Sequence, residues 1–173
     1  MDIHIYTDGG CSGNPGPGGW AYMIIRDRGE EPASRAKAPA KGAKVPAKAP
    51  PEVIVEKWGG EKETTNNRME LSAALAALDM LRKLNIAPKR VVVFTDSQYV
   101  QMGMTQWIFG WKRNGWRTSD KGSVKNQDLW QRLDELAALF PITWEWVKGH
   151  AGNPFNERCD KLTQQAIAAV QKE

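Results

Sequence analysis

The stretch Ile3–Gly19, IHIYTDGGCSGNPGPGG, reads as an apolar β-branched strand that runs into an aspartate and then into glycine. Ile3, Ile5 and Thr7 lead to Asp8, after which Gly9, Gly10, Gly13, Gly16, Gly18 and Gly19 crowd a loop around Pro15 and Pro17. Backbone this bare at a strand end implies that something large approaches it closely. The same cadence returns in VVVFTDSQ, residues 91–98. In both places an aromatic, a threonine, an aspartate and a small residue close a hydrophobic strand. If the two strands are parallel neighbours, Asp8 and Asp96 lie roughly 5 Å apart at the carboxyl ends of a sheet. Open α/β sheets bind their ligands there.

Working outward, WAYMIIR (20–26) and VIVEKW (53–58) read as the second and third strands of an antiparallel meander. Residues 28–52 between them are Ala, Pro, Lys and Gly with almost no apolar content, and are expected to form a disordered insertion in a single domain spanning 1–173. Two readings of that insertion stand: a spacer at a hairpin tip, or a cationic tether for nucleic acid. Residues 33–50 hold five cations and no acid, against a net charge of +4 for the whole chain, so the remainder sums to −1. The pI near 9.1 therefore reflects the insertion more than the folded part.

At 173 residues, with 41% hydrophobic and 25% charged residues, the chain suits one globular domain with a real core. It has no apolar run of membrane-span length and no basic-then-apolar leader. Cys11 and Cys159 are too few for a disulfide scaffold, which suggests a reducing cytoplasm.

TTNNRMELSAALAALDMLRKLNIAP (64–88) places Leu71, Leu75, Leu78 and Leu81 on one helical stripe. Asn67 three residues before Glu70 fits a capping pattern, and Pro88 stops the helix, so Glu70 has a purely structural reading as a cap. This helix is the crossover that lets Arg90–Asp96 run parallel to the first strand. Two short helices are expected over 98–105 and 106–113. From Trp107 to Lys125, Trp107, Trp111 and Trp116 interleave with Lys112, Arg113, Arg117, Lys121 and Lys125 against one acid. Cations for phosphate and flat rings for sugar and base are what a nucleic-acid groove needs. The plainer reading is that Trp107 and Trp111 pack a helix while the charges solvate. A helix over 126–139 turns Leu129, Trp130, Leu133, Leu136 and Leu139 inward, and 141–147 alternates as a fifth strand. A loop with His150 follows, then Asn153 as N-cap, Pro154 and a closing helix bearing Asp160.

Asp8, Glu70, Asp96 and Asp160 thus stand where they can converge. Buried carboxylates repel unless a cation lies between them, and oxygen ligands suit Mg²⁺ together with substrate phosphate. Two such ions about 4 Å apart serve phosphodiester hydrolysis. His150, on a glycine-flanked loop, would carry protons, or would have no role; His4 is structural. The glycine loop is neither a P-loop nor a dinucleotide fingerprint, a Cys11–His150 nucleophile pair leaves four acids unemployed, and no zinc spacing is present.

The motifs TDGGCSGNPGPGG, TTNNRMEL, FTDSQYV, TQWI…WKRNGW, VKNQDLWQRLD and WEWVKGHAGNPFNERCD closely resemble type 1 ribonuclease H of the bacterial kind, over nearly all the chain except about 30–52. The resemblance implies an α/β fold, a five-stranded mixed sheet of order 3-2-1-4-5 with helices on both faces. It implies a monomeric endonuclease that cleaves the RNA strand of RNA–DNA hybrids with Mg²⁺ (Mn²⁺ as a substitute), leaving 5′-phosphate and 3′-hydroxyl ends. Asp8, Glu70, Asp96 and Asp160 become the metal-binding acids and His150 the assisting base. Gly9, Cys11, Asn14, Asn66 and Gln98, with Thr65 and Asn67 nearby, match the family's minor-groove contacts, where 2′-hydroxyls distinguish RNA from DNA. Trp107, Trp111, Lys112, Trp116 and Arg117 fall in the family's basic protrusion, which grips the DNA strand. Two other classes stay open: a silent hybrid-binding module, and a relative acting on DNA.

Overall fold

The computed structural model describes residues 1–28, 50–118, 120, 122–149 and 152–173. Five strands form one sheet of order β3-β2-β1-β4-β5: β1 (Asp2–Cys11), β2 (Gly16–Asp27), β3 (Glu52–Thr64), β4 (Arg90–Thr95) and β5 (Ile142–Trp146). β1 and β2 pair antiparallel from Asp2↔Asp27 to Cys11↔Gly18, and β2 pairs antiparallel with β3. β4 lies parallel to β1, with Tyr6↔Phe94 the last paired positions, and β5 lies parallel to β4. The expected strand order is therefore observed. The expected insertion at 28–52 falls, over 29–49, outside the described residues.

The glycine stretch corrects the sequence reading. Gly9 and Gly10 belong to β1 and Gly16, Gly18 and Gly19 to β2, so only 12–15 turn. Both later meander strands are longer than their apolar runs, β3 reaching Thr64. What approaches the bare backbone is the protein itself. A Cβ on Gly9 would collide with the backbone of Met69, and one on Gly19 would lie 2.7 Å from the Ala166 Cβ. The glycines admit two helices against the sheet: α1 (Asn66–Lys83) and α5 (Pro154–Gln171).

Alternation along the strands assigns the two faces. Ile3, Ile5, Val91 and Val93 join Leu71, Leu75, Leu78 and Leu81 of α1 in the main core. Tyr6, Met23 and Ile25 join Cys159 of α5 in a smaller cluster on the other face, with Phe94 and Phe155 packed against it. Asp8 and Asp96 follow Tyr6 and Phe94 by two residues each, and so leave the sheet at the same level on the α5 side.

Four expectations about the helices need revision. The N-cap of α1 is Thr65, whose side chain accepts from the Arg68 N–H at 3.2 Å, not Asn67. α1 ends at Lys83, ahead of Pro88. The two helices expected at 98–113 are one continuous segment: α2 (Gln98–Met102), a π turn over 103–107 and α3 (Ile108–Arg113). In the helix α4 (Gln127–Ala137), Trp130, Leu133 and Leu136 are buried as expected, but Leu139 lies beyond its end and is 58% exposed.

Candidate active site

β1 and β4 deliver Asp8 and Asp96 side by side, and the first turns of α1 bring Glu70 over them. Oxygen atoms of the three carboxylates all lie within 4.8 Å of one another. Asp160 stands on α5 at the rim of the same cleft, which Asp8, Asp96, Asn156, Glu157 and Asp160 line. Three of the four predicted acids thus form a tight cluster and the fourth flanks it. With Thr65 as the cap, Glu70 is past the capping position and its structural reading lapses.

The cluster is electrostatically strained. Burial, with Asp96 and then Asp160 beside it, pushes the Asp8 carboxyl up to about 7, although the Thr163 hydroxyl and the Gly9 N–H oppose the shift. Burial raises Glu70 well above the usual carboxylate range, and Asp8 and Asp96 add to the effect. Glu70 Oε2 is buried and finds no hydrogen-bond donor among the described residues. Crowded acids that offer only oxygen ligands fit a hard divalent cation, which would relieve their mutual repulsion.

Asp96 is held from behind. The Trp146 indole N–H donates to the Asp96 carbonyl at 3.0 Å, and the Val147 N–H donates to the Thr95 carbonyl at 2.9 Å. A Cβ on Gly149 would come within 3.3 Å of Asp96 Oδ2. His150 lies outside the described residues. Asn153 caps α5 through the N–H groups of Phe155 and Asn156 and also donates to the Tyr6 hydroxyl at 3.3 Å. Sequence reading missed Asn156, buried and lining the cleft. Its position one turn before Asp160 on an Asn-capped helix was the available signal.

Beside the acids, the predicted polar contacts are brought together by the hairpin tip and the start of α1. Asn66 Oδ1 accepts from the Cys11 N–H at 2.8 Å, and Asn14 Oδ1 accepts from the Asn66 N–H at 3.2 Å. Asn66, Asn67 and Gln98 are exposed, while Gly9, Cys11 and Thr65 are half-buried. Gly9 cannot serve as an open floor on its helix side, because Met69 occupies it.

The tryptophan group divides. Trp111 and Trp116 pack against the main core, and Trp111 lies 5.3 Å from the buried Trp130. Trp107 is 40% exposed. Trp116 is partly buried, and its backbone N–H reaches back to the Trp111 carbonyl at 2.6 Å. Lys112 is paired with Asp134 at 3.2 Å, and Arg117 is exposed.

The RNase H family model matches residues 1–168. Ribonuclease H of Ruegeria sp. (strain TM1040) is 50% identical over 167 residues, spanning 96% of this chain and 92% of that protein. Ribonuclease H of Treponema denticola is 47% identical over an alignment of 182 residues that covers 99% of each. The crystal structure of LC9-RNase H1, a type 1 RNase H with the type 2 active-site motif, superposes with a TM-score of 0.75 at 29% identity, covering 98% of this chain and 73% of that one. LC11-RNase H1 in complex with RNA/DNA hybrid shares the fold, with a TM-score of 0.65 at 21% identity, over 98% of this chain and 99% of that one. With half its residues shared along nearly its whole length, and with the sheet order and acid cluster that its motifs imply, the chain belongs to the ribonuclease H family.

Proposed function

We propose that the chain is a magnesium-dependent endonuclease that hydrolyses the RNA strand of RNA–DNA hybrids by two-metal phosphodiester cleavage, leaving 5′-phosphate and 3′-hydroxyl ends. The observation that carries this reading is the crowded triad of Asp8, Glu70 and Asp96, in which two parallel strands and the first turns of α1 bring three carboxylates together and Asp8 and Glu70 are pushed above the usual carboxylate range. Bound there, magnesium (or manganese in its place) supplies an activated water and stabilises the leaving oxygen.

The chain's own residues do the rest. Asp8, Glu70 and Asp96 would together hold the ions, and Asp160 on the rim of the cleft would complete the set. His150, on the loop between β5 and α5, carries the proton or aids product release. Gly9, Cys11, Asn14, Thr65, Asn66, Asn67 and Gln98 meet the minor groove, where 2′-hydroxyls mark RNA. The hydrogen bonds among Cys11, Asn14 and Asn66 support this by preorganising one edge of that surface. Trp107, Lys112 and Arg117 face the DNA strand, while Trp111 and Trp116 shape the protrusion from within.

The chain acts as a monomer, in the cytoplasm. Its two free cysteines support a reducing compartment, and no helix among the described residues is long and apolar enough to cross a membrane. The insertion serves as a spacer at a hairpin tip or as a cationic tether, and the residues that flank it, Asp27 of β2 and Glu52 of β3, lie at the sheet end opposite Asp8.

The test is incubation with labelled RNA–DNA hybrid, duplex DNA and duplex RNA, with magnesium or a chelator. Cleavage of the hybrid's RNA strand alone, dependent on metal and lost in Asp8→Asn, is the expected result. Intact hybrid under good magnesium refutes it, and cut duplex DNA favours the DNA-acting alternative.

A further inference from the structure

Helix α5 lies along β1 in a register that can be followed turn by turn. Cys159 Sγ donates to the Tyr6 carbonyl at 3.5 Å. One helical turn on, Thr163 comes opposite Asp8, because four helical residues and two extended ones both advance about 6–7 Å. The next turn keeps the spacing. Gly19, the β2 partner of Gly10, would place a Cβ 2.7 Å from the Ala166 Cβ and 2.9 Å from the Thr163 carbonyl oxygen. Bare backbone at Gly19 lets α5 settle close enough for a side chain as short as threonine to reach the strand.

Thr163 is the informative residue. A buried threonine inside a helix commonly donates to the carbonyl one turn back, as Thr105 does to Gln101 at 2.7 Å. Thr163 is 1% exposed, yet its hydroxyl makes no such bond and has no partner of ordinary geometry among the described residues. The group it acts on is the Asp8 carboxylate, whose charged form it favours against burial and the neighbouring acids. Thr163 does not line the cleft itself; Asp160, three residues earlier on the same helix, does.

We infer that Thr163 is a positioning residue for Asp8: its hydroxyl steadies the carboxylate from the α5 side, in the orientation that receives a cation shared with Glu70 and Asp96. The inference rests on the functional reading above. Enclosed between α5 and the sheet, Thr163 touches neither metal nor substrate and acts only through Asp8.

Two substitutions separate the hydroxyl from the methyl. Thr163→Val keeps the shape and removes the hydroxyl; Thr163→Ser keeps the hydroxyl and removes the methyl. Magnesium binding is measured by titration calorimetry without nucleic acid, beside steady-state cleavage of the hybrid and thermal melts in chelator. In Thr163→Val magnesium affinity and kcat both fall roughly tenfold, as when a metal ligand loses its outer hydrogen bond, while KM stays within about twofold. Thr163→Ser holds affinity and kcat near the wild-type values although its Tm drops, because the lost methyl weakens only the packing. The reverse order, with Thr163→Val like wild type and Thr163→Ser impaired, overturns the inference and leaves Thr163 a packing residue. Equal losses in the two variants, tracking Tm, overturn it as well. Wild-type protein that binds magnesium but leaves the hybrid intact refutes the nuclease reading, and the titrations still decide Thr163. Wild-type protein that binds no magnesium overturns both.

Discussion

Gly9 of β1 and Met69 of α1 meet backbone to backbone. A Cβ added to Gly9 would press on the Met69 carbonyl group and lie 2.5 Å from the Glu70 nitrogen. Main-chain atoms cannot rotate away, so Gly9→Ala forces the helix off the sheet beside Glu70, one of the proposed metal-binding acids. Overpacking of this kind costs on the order of 3 kcal/mol, and the activity loss exceeds what unfolding explains. Gly10→Ala is the control, because its nearest neighbour is the Asn66 Oδ1 at an ordinary 3.7 Å. Urea denaturation of both variants checks this; equal stability of the two contradicts it.

The crowding of the acids gives the metal-free protein a pH dependence of known sign. The Asp8 carboxyl titrates at an ordinary 3.8 when unfolded and at about 7 when folded. Below 3.8 both states hold the proton and Asp8 contributes nothing. Between 3.8 and about 7 the unfolded chain has released it and the folded chain has not, so stability falls as pH rises through that window, then levels. Glu70, also raised, acts in the same direction. Asp8→Asn removes the Asp8 contribution, so the variant gains over wild type as pH climbs from 5 to 8, by a few kcal/mol at the top. Thermal melts in chelator measure the difference, and added magnesium erases it. A gap that is constant with pH sinks the claim.

How much of this could be read beforehand differs element by element. The echo between IYTD and VFTD was enough to pair β1 with β4 and to set Asp8 beside Asp96, because alternation and a shared ending carry register. The glycine run was misread because glycine signals a loop from sequence, yet here it extends two strands under close-packed helices. Thr65 and Asn67 offer the same cap chemistry, so only the observed hydrogen bond separates them. Trp111 and Trp116 stand among lysines and arginines in the sequence, yet both are partly buried against the core, Trp111 beside Trp130 of α4 and Trp116 beside Trp111. Long-range partners of this sort leave no local pattern.

Asp8, Glu70 and Asp96 share one oxygen cluster, whereas Asp160 lines the cleft outside it. Their amide variants therefore separate by rank. Asp8→Asn, Glu70→Gln and Asp96→Asn each abolish magnesium binding and lower kcat at least about a thousandfold, since several kcal/mol of charge stabilisation vanish. Asp160→Asn weakens binding and retains more of the rate. Titration calorimetry with magnesium, run beside single-turnover cleavage, orders the four. An Asp160 variant as dead as Asp8→Asn contradicts the ranking.

Trp146 offers a way to loosen Asp96 without touching its carboxylate. The indole N–H donates to the Asp96 carbonyl at 3.0 Å from the last position of β5, and a Cβ on Gly149 would come within 3.3 Å of the carboxylate. Trp146→Phe keeps an aromatic ring on a position already 42% exposed and removes that single hydrogen bond. Stability therefore changes by about 1 kcal/mol at most. The consequence falls on the aim of Asp96: the turn after β4 gains freedom, and a small displacement of a carboxylate proposed to hold the metal costs about tenfold in kcat. Magnesium affinity falls with it, whereas KM for the hybrid changes less, because only Gln98 of the proposed minor-groove residues lies beside that turn, on α2, and the others sit on the hairpin and at the start of α1. Steady-state kinetics and metal titration on the same preparation decide it: a rise in KM with kcat intact would assign Trp146 to the substrate surface instead of to Asp96.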